Sequence, residues 1–388
     1  MLGEPADDLL IGVDGGATEV KAHEVVRSDS MLGLGAASAS FLYERARGFQ
    51  PVPMPSQLLA LEKGTLRPGG VEGAQARLWL EASARAIASV AGQAGRREVR
   101  LGICMPGLKT ADGRGIAVMR WGPRIPGYLD RLEALLAESG LALGRPVSRL
   151  SSDGEACAHG ERIDARGLLR GIGCAYYLGG GTGLAEALLI EGRIHGFDAL
   201  DGFVRKAWQM EATGGRIVED LLSPRGMNSA YAAMANKKLP LAPGDHPESR
   251  ALAGDEQAAR VLRDAAEALA ELVLDRMGAL RRGFHSSSAR ITPNTFLERV
   301  VIGQRLGGIF ASAALRPSFR DPAEELLARK IVATGDGALR KHYLEGSRLR
   351  PDLLVGSELR AAPAIGAVAI ELGSSGEAAR VTAPWKKP

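Results

Sequence analysis

The sequence predicts an α/β protein built from two domains. Short apolar segments typical of strands alternate with longer segments whose apolar residues recur at helical spacing. A strand, a turn rich in glycine and threonine, and a second strand occur near the start of each half of the chain, around residues 14–18 and 179–183. This repetition indicates a duplicated architecture. A chain of 388 residues is long enough for two domains, or for one large split domain.

Composition and charge are those of a soluble globular protein, with 45% hydrophobic and 24% charged residues and a net charge of +4. The arginines are scattered, without a basic block or interleaved aromatics, which argues against nucleic acid as the main partner. Cys104, Cys157 and Cys174 form no CxxC pair, so we expect reduced core cysteines rather than a zinc site or disulfides. Because there is no signal-peptide pattern and no apolar run of about 18 residues, we expect a cytoplasmic protein without a membrane partner.

The first turn combines a carboxylate with two glycines. A strand at residues 9–13 leads into Asp14, Gly15 and Gly16, and a second strand covers residues 20–26. Glycine permits positive φ and lets backbone N–H groups approach a ligand. Thr18 adds a hydroxyl, and Asp14 can hold a metal ion directly or through water. We interpret the stretch as a phosphate-binding hairpin with Mg²⁺ nearby, and an ordinary hairpin turn is the alternative.

Periodicity and turn residues predict most of the other elements. Residues 31–70 give no clear pattern. Helices are expected at residues 73–91, 128–139, 155–161, 215–222, 255–282 and 362–372, with another that begins at Ile309. Further strands are expected at residues 99–104, 147–150, 173–178, 184–190, 296–302 and 353–355.

Two later stretches contain residues suited to ligand binding or catalysis. Asp153 follows the strand at 147–150 and precedes a helix, and open α/β sheets bind ligands at the carboxyl ends of their strands. A helix N-cap is the structural alternative for Asp153. The second glycine turn is not a Walker loop, because no Gly-Lys-Ser/Thr follows, and it does not open a helix as GxGxxG does. A glycine loop at residues 303–308 enters a helix and can place an adenine ring against the backbone.

Six segments in this order resemble the ROK sugar kinases, the bacterial glucokinase and N-acetylhexosamine kinase group of the actin/hexokinase/Hsp70 superfamily. VDGGATEVK resembles the first phosphate loop, and ICMPG resembles the strand before the substrate loop. LSSDGEACAHGE resembles the catalytic Asn-Asp segment and its following helix. YLGGGTGLAEALLIEGRIHG, VVIGQRLGG and AAPAIGAVAIEL resemble the second phosphate loop, the adenosine loop and the closing helix.

The resemblance implies an α/β fold of two ribonuclease H-like (actin-like ATPase) domains, each on a mixed five-stranded sheet, with an interdomain cleft. It implies an N-terminal domain over residues 1–150 and a C-terminal domain over residues 151–388. The closing helix, residues 362–372, can pack back on the N-terminal domain.

The same resemblance implies ATP-dependent phosphorylation of a sugar or sugar-like small molecule, with ATP and Mg²⁺ as cofactors. Asp153 would be the general base and Asp14 the group associated with Mg²⁺. A homodimer remains open. The implied nucleotide contacts are Gly15, Gly16, Ala17, Thr18, Lys21, Gly181, Thr182, Gly183, Gly303, Gln304 and Gly307.

The sequence departs from the family around the acceptor. Ser152 stands where Asn is usual, the Glu-x-Gly-His segment has no counterpart, and the Cys-rich zinc segment is missing. The acceptor pocket is therefore expected to differ. Candidates for acceptor contact, each with a surface or structural role as the alternative, are Ser152, Glu186, Arg120, Trp121, Asp198 and Asp201.

Three other functions fit the same scaffold. A catalytically silent nucleotide- or sugar-binding protein is favoured by the altered pocket and opposed by the retained Asp153. A transcriptional repressor of the family would carry an N-terminal helix-turn-helix, and only ten residues precede Ile11. A BadF-type ATPase would couple hydrolysis to a partner enzyme, but the cysteine pattern for a bridging iron–sulfur cluster is not visible.

Overall fold

The chain divides into two compact units. The computed structural model describes residues 8–200, 202–242, 244–285 and 290–374, with the side chains of residues 198, 199 and 374 left out. Unit 1 comprises Met1–Gly167 and Ala361–Pro388, and unit 2 comprises Leu168–Arg360. The division therefore falls after Gly167 and not at residue 150, so the helix that follows Ser152 belongs to unit 1.

Unit 1 contains a five-stranded mixed sheet with helices on both faces. The strands of unit 1 as a whole are β1 (Leu9–Gly15), β2 (Glu19–Ser28), β3 (Met31–Leu42), β4 (Glu98–Cys104), β5 (Leu108–Lys109), β6 (Ile116–Val118) and β7 (Ala142–Leu143). Its helices are α1 (Met54–Glu62), α2 (Gly70–Gln93), α3 (Tyr128–Glu138), α4 (Asp153–Ile163) and, from the end of the chain, α12 (Ala362–Ser374). The sheet order is β3-β2-β1-β4-β7, with β1, β2 and β3 antiparallel and β4 and β7 continuing in parallel.

Strand β1 shows how the two faces of this sheet are filled. Ile11 and Val13 point to the core formed with α2 and α3. Gly12 points the other way, as the two-residue period of a strand requires. A Cβ on Gly12 would lie 2.1 Å from the carbonyl oxygen of Ala364 in α12. The glycines of the sheet therefore let the closing helix lie directly on the backbone, which places that helix in unit 1.

Unit 2 repeats the same sheet topology. Its strands are β8 (Ala175–Gly180), β9 (Leu184–Ile190), β10 (Arg193–Gly196), β11 (Phe284–His285), β12 (Arg290–Ile291), β13 (Arg299–Gly303), β14 (Leu344–Glu345), β15 (Arg348–Leu349) and β16 (Leu354–Gly356). Its helices are α5 (Val218–Leu222), α6 (Pro224–Met234), α7 (Pro247–Leu252), α8 (Glu256–Arg282), α9 (Gln304–Ala311), α10 (Arg320–Ala333) and α11 (Gly337–Tyr343). The order β10-β9-β8-β13-β16 matches unit 1 strand for strand, which confirms the predicted α/β class with two ribonuclease H-like domains.

The predicted stripe of α8 forms the centre of the unit 2 core. Fourteen of its side chains are buried, and the helix begins at a capped residue, because the Asp255 carboxylate accepts the N–H groups of Gln257 and Ala258. One buried member of this helix, Arg276, is charged. None of the helices in the described ranges is long and apolar enough to cross a membrane.

Two predicted elements differ in the structure. Residues 147–150 do not form a strand: the N–H of Val147 binds Glu133, that of Ser148 binds Glu371, and that of Leu150 binds the carbonyl of Gly113. Ser151 alone makes a bridge to Cys104. The helix expected from Ile309 begins at Gln304. The unassigned stretch 31–70 contains β3 and α1.

Candidate functional site

Neighbouring strand ends in unit 1 bring two carboxylates together. Asp14 is in register with Cys104 of the parallel strand β4, and Cys104 bridges Ser151, two residues before Asp153. The Sγ atom of Cys104 lies 3.9 Å from Oδ1 of Asp14. Asp153 lies close enough that its negative charge acts on Asp14. Both predicted acidic residues thus occupy the carboxyl end of the sheet, where a ligand is expected.

The surroundings of Asp14 disfavour its charge. Burial is the main cause, and the charges of Asp153 and Glu19 add to it; together they raise the pKa of Asp14 to about 6. Lys21, directly opposite on β2, acts against this shift, as does the Cys104 thiol. A cation bound beside the two carboxylates would offset their mutual repulsion.

The residues present fit a magnesium ion held jointly with phosphate oxygens. Mg²⁺ usually takes one or two carboxylates, water and substrate phosphates rather than a cage of protein ligands. Within the described ranges, no group of three or more His, Cys, Asp or Glu residues could hold a metal ion. Asp14 with Asp153 nearby therefore suits a phosphate-bound cation better than a resident structural metal.

The start of α4 assigns different roles to Ser152 and Asp153. Ser152 is the N-cap, and its hydroxyl accepts the N–H of Glu155 at 3.1 Å. Asp153 is the first residue of the helix, so the N-cap alternative for Asp153 is wrong. The Ser152 hydroxyl accepts here and keeps its own O–H to donate, so its contact with an acceptor stays a prediction. The helix dipole favours the ionised form of a carboxylate in the first turn.

The first hairpin is a tight turn, closed by the N–H of Gly16 donating to the carbonyl of Glu19 at 2.9 Å. Neither Gly15 nor Gly16 has positive φ, so the conformational reason expected for these glycines is wrong. A Cβ on Gly15 would lie 1.8 Å from Sδ of Met105, so any larger residue there would displace the Met105 side chain. Thr18 at the tip is exposed.

Lys21 lies on β2 just beyond this hairpin. Its ammonium forms an ion pair with Glu19 at 2.8 Å, and it faces Asp14 across the strand pair. Ala17 is partly exposed beside Thr18. The hairpin therefore groups all five nucleotide contacts predicted for unit 1.

Arg120 and Trp121 form a firmly held turn elsewhere in unit 1. The guanidinium of Arg120 lies over the Trp121 ring, 4.8 Å from the ring centre. On one side, the backbone N–H and carbonyl of Met119 bind the buried Gln57 amide, each at 2.8 Å. On the other side, Arg124 forms a two-pronged ion pair with the carboxylate at the start of α2, at 2.9 and 2.7 Å. The turn thus presents a partly exposed cation and indole in a fixed geometry.

Unit 2 brings the second hairpin next to the predicted adenosine loop. Gly180 bridges Gln304, and the N–H of Gly181 donates to the carbonyl of Gly183 at 3.0 Å. Gln304 has a φ of 58°, in the left-handed region that non-glycine residues rarely adopt. Such strain concentrates at ligand sites. Gly307 is needed for packing, since its Cβ would lie 2.5 Å from the carbonyl oxygen of Ile302.

Glu219 is a residue at this hairpin that the sequence did not single out. It is 6% exposed, and its carboxylate accepts the N–H of Leu184 at 3.2 Å. The same carboxylate lies 3.3 Å from where a Cβ of Gly183 would be. The sequence showed only a Glu within a predicted helix, so nothing local distinguished it from a solvated position.

Glu186 is wrong as an acceptor contact. It is buried, and both carboxylate oxygens bind groups of unit 2: Oε1 accepts from Tyr176 and Arg276, each at 2.7 Å, and Oε2 accepts the N–H of Ala207 at 2.8 Å. Asp201 lies outside the described residues, and so does the side chain of Asp198.

The sequence matches no protein-family model and no curated protein. Solved structures do match. A ROK-family glucokinase from Streptomyces griseus in complex with glucose and AMPPNP superposes with a TM-score of 0.58 and 16% identity, over 93% of this chain and 98% of its own. The ROK hexokinase from Thermus thermophilus gives a TM-score of 0.55 and 17% identity, over 94% of this chain and 99% of its own.

The fold is that of the ROK sugar kinases. The ROK fold is not confined to kinases, since a ROK-family transcriptional regulator, a homologue of the E. coli MLC protein, also matches with a TM-score of 0.50 and 11% identity, over 96% of this chain and 80% of its own. At such identities the likeness shows the fold alone. Activity has to be argued from the residues.

Proposed function

We propose that this protein is an ATP-dependent kinase that phosphorylates a hydroxyl group of a sugar or sugar-like molecule. The observation that carries the proposal is the position of Asp153 in the first turn of α4, beside Asp14 at the end of β1. The ROK fold supports it, because the glucokinase that superposes on this chain binds glucose and an ATP analogue.

Asp153 acts as the general base in this proposal. A carboxylate in the first turn of a helix stays ionised readily, and it accepts the proton of the acceptor hydroxyl as that oxygen becomes the nucleophile. Gly154 N–H donates to Oδ1 of Asp153 at 2.9 Å, which helps to fix the carboxylate. Phosphoryl transfer depends chiefly on positioning and charge neutralisation, so the base serves to orient the acceptor hydroxyl and to accept its proton.

Each hairpin is proposed as a phosphate-binding turn of its own unit. Mg-ATP supplies the transferable phosphoryl group and a cation that neutralises its charge. In unit 1, Asp14 associates with the cation, and residues 15–18 with Lys21 bind phosphate. In unit 2, residues 181–183 bind phosphate, and Gly303, Gln304 and Gly307 bind the adenosine portion.

The acceptor is bound in part by the turn that carries Arg120 and Trp121. An indole offers an apolar face on which the C–H groups of a sugar ring pack, and a guanidinium donates to hydroxyl oxygens. The contacts that hold Met119 and Arg124 keep this pair in one geometry. Such fixed side chains lose little entropy when an acceptor binds.

The test is ADP release with Mg-ATP against a panel of hexoses, amino sugars, polyols and anhydro-sugars. We expect at least one of them to stimulate release and to yield a phosphate ester by mass spectrometry. If none stimulates release, the kinase proposal fails. Steady release that needs no acceptor would instead support an ATPase on the same scaffold.

A catalytically silent sugar- or nucleotide-binding protein is the second candidate. The altered acceptor segments of the sequence and the match to a transcriptional regulator favour it. Calorimetry on the same panel separates the two: a sugar that binds without stimulating ADP release indicates a binding protein.

A further inference from the structure

The core of unit 2 contains a buried ion pair that the proposed chemistry does not use. Arg276 lies on α8 with its side chain fully buried, and Glu186 lies on β9 with 5% of its side chain exposed; the two groups are 2.7 Å apart. The Tyr176 hydroxyl donates to the same carboxylate oxygen at 2.7 Å. A charged pair in a core costs desolvation free energy that its own attraction often fails to recover, so its presence calls for an explanation.

The Arg276 cation is surrounded by groups that favour its charge. Burial alone disfavours the Arg276 cation, but Glu186, Tyr176 and Asp275 outweigh burial and raise the pKa of Arg276. The guanidinium also lies 5.0 Å from the centre of the Phe197 ring, within the range of a cation–π contact. The Arg276 guanidinium therefore stays charged in the core.

Each partner of the pair also binds the backbone of an irregular segment, residues 205–210. Glu186 accepts the N–H of Ala207 at 2.8 Å. Arg276 donates to the carbonyl of Arg205 at 2.7 Å, and its other terminal nitrogen lies 3.4 Å from Sδ of Met210. A segment without long regular structure is thus held at three points by one ion pair.

This segment leads back to the second hairpin. The carbonyl of Met210 accepts the N–H of Val218 at 2.9 Å, which fixes the start of α5. The next residue, Glu219, accepts the N–H of Leu184 on β9. Glu186 lies two residues further along β9 than Leu184. The contacts therefore form a closed ring: they run from Glu186 through residues 205–210 and Glu219 back to Leu184, on the strand that follows residues 181–183.

We propose that Glu186 and Arg276 are positioning residues that hold the second hairpin, residues 181–183, in its binding geometry through residues 205–210 and Glu219. The inference rests on the proposed function in one respect, namely that this hairpin binds nucleotide phosphate. The ring of contacts fixes the strand after the hairpin from two directions, so loss of the pair releases both the 205–210 segment and the Glu219 contact to Leu184.

The test uses the full chain and a double variant, Glu186→Gln with Arg276→Met. This change removes both charges together, because removal of one would leave the other buried and unpaired and could prevent folding. The introduced amide still offers an acceptor to Ala207 and a donor to Tyr176, whereas the contact with the Arg205 carbonyl is lost. The matched control is Glu256→Gln with Arg263→Met, an exposed and loosely paired couple on the same helix, 3.8 Å apart.

Two measurements are made on both variants: hydrogen–deuterium exchange of the amides and calorimetric binding of Mg-AMPPNP. We expect the double variant, but not the control, to lose protection at Leu184, because residues 205–210 no longer have the Arg276 contact to the Arg205 carbonyl. We also expect it to bind the nucleotide about fivefold or more weakly, the size of a typical coupling between sites.

Unchanged protection at Leu184 and unchanged nucleotide affinity, with only a lower Tm, would overturn the inference and leave a structural ion pair. If the wild-type protein binds no nucleotide, the proposed function fails instead, and the exchange of Leu184 still decides whether the pair positions the hairpin. The two failures are therefore distinguishable.

Discussion

Asp14 and Cys104 face each other across the parallel pair β1–β4, with Sγ of Cys104 3.9 Å from Oδ1 of Asp14. The thiol is buried, and its sulfur also lies 3.8 Å from the carbonyl oxygen of Pro363 in α12. Burial, with the charge of Asp14 next, raises the pKa of Cys104 well above its usual value. A neutral thiol thus lies beside Asp14, and the electrostatics of the site depend on Asp14 and Asp153.

Asp153→Asn is expected to abolish phosphoryl transfer while leaving ATP binding nearly intact. The amide cannot accept the proton of the acceptor hydroxyl, and loss of a general base typically lowers kcat by about 10²- to 10⁴-fold. ADP release gives kcat, and isothermal titration gives the affinity for ATP. Asp130→Asn, the same change in the first turn of α3, is the control and should keep full activity. Lost ATP affinity in the Asp153 variant would show a structural or metal-binding role instead.

Asp14→Asn is expected to stabilise the metal-free protein at neutral pH and to have little effect near pH 4. Burial raises the folded-state pKa of Asp14 from 3.8 to about 6, so the folded state binds the proton more tightly than the unfolded state. The stabilisation from that proton is complete below pH 3.8 and is lost as the pH rises through 6. The shift corresponds to at most about 3 kcal/mol, and the partial exposure of Asp14 lowers this figure.

Thermal unfolding in EDTA at pH 4, 5, 6 and 7.5 measures this effect. The difference in Tm between the Asn variant and the wild type should grow with pH. A constant difference would contradict the assigned environment of Asp14. Addition of Mg²⁺ with AMPPNP should raise the Tm of the wild type more than that of the variant, because a cation offsets the repulsion between carboxylates.

Gly366→Ala is expected to destabilise the protein, whereas Gly73→Ala should stabilise it. In α12, a Cβ on Gly366 would lie 1.7 Å from the carbonyl oxygen of Ala156 in α4, and overpacking of this kind typically costs about 1–3 kcal/mol. In α2, a Cβ on Gly73 meets nothing within 4 Å, so the higher helix propensity of Ala should contribute about 0.5–1 kcal/mol. Urea unfolding of both variants gives the comparison, and equal effects would contradict the close contact of α12 with α4.

Gln304→Gly is expected to stabilise unit 2 and to weaken nucleotide binding. The left-handed conformation of Gln304, with a φ of 58°, costs a non-glycine residue about 1–2 kcal/mol, which glycine avoids. The Gln side chain is lost from the proposed adenosine loop at the same time. Differential scanning calorimetry and titration with AMPPNP measure the two effects. Asn236→Gly, at a φ of 51°, is the control, because it changes a similar backbone position outside the loop. An unchanged affinity for the nucleotide would remove Gln304 from the binding site.

Strands and helices with strong patterns were predicted well because their signals are local. The strand 184–190 and the helix at 255–282 have nearly the same bounds in the structure, since alternation and a 3.6-residue stripe are visible in the sequence itself. Residues 147–150 were predicted wrongly, and two of their backbone donors bind the distant carboxylates of Glu133 and Glu371. The four residues themselves contain no information about hydrogen-bond partners that lie so far away in the chain.

The roles of single side chains divide in the same way. Asp153 and Asp14 could be selected because each follows a strand and precedes a turn or a helix. The sequence does not reveal the roles of Glu186 and Glu219, because their partners come from α8 and from β9. Whether a carboxylate is solvated, buried in an ion pair or placed beside a hairpin depends on elements far away in the chain.

The sequence by itself determined the α/β class, the duplicated strand–turn–strand units and the order of the glycine-rich loops, because short-range periodicity and turn chemistry encode these features. The tertiary structure alone decided that α4 and α12 belong to one unit, that Asp14 and Asp153 act on each other, and that Glu186 serves the core. The physical reason is that burial and charge interactions depend on three-dimensional separation, which sequence spacing does not contain.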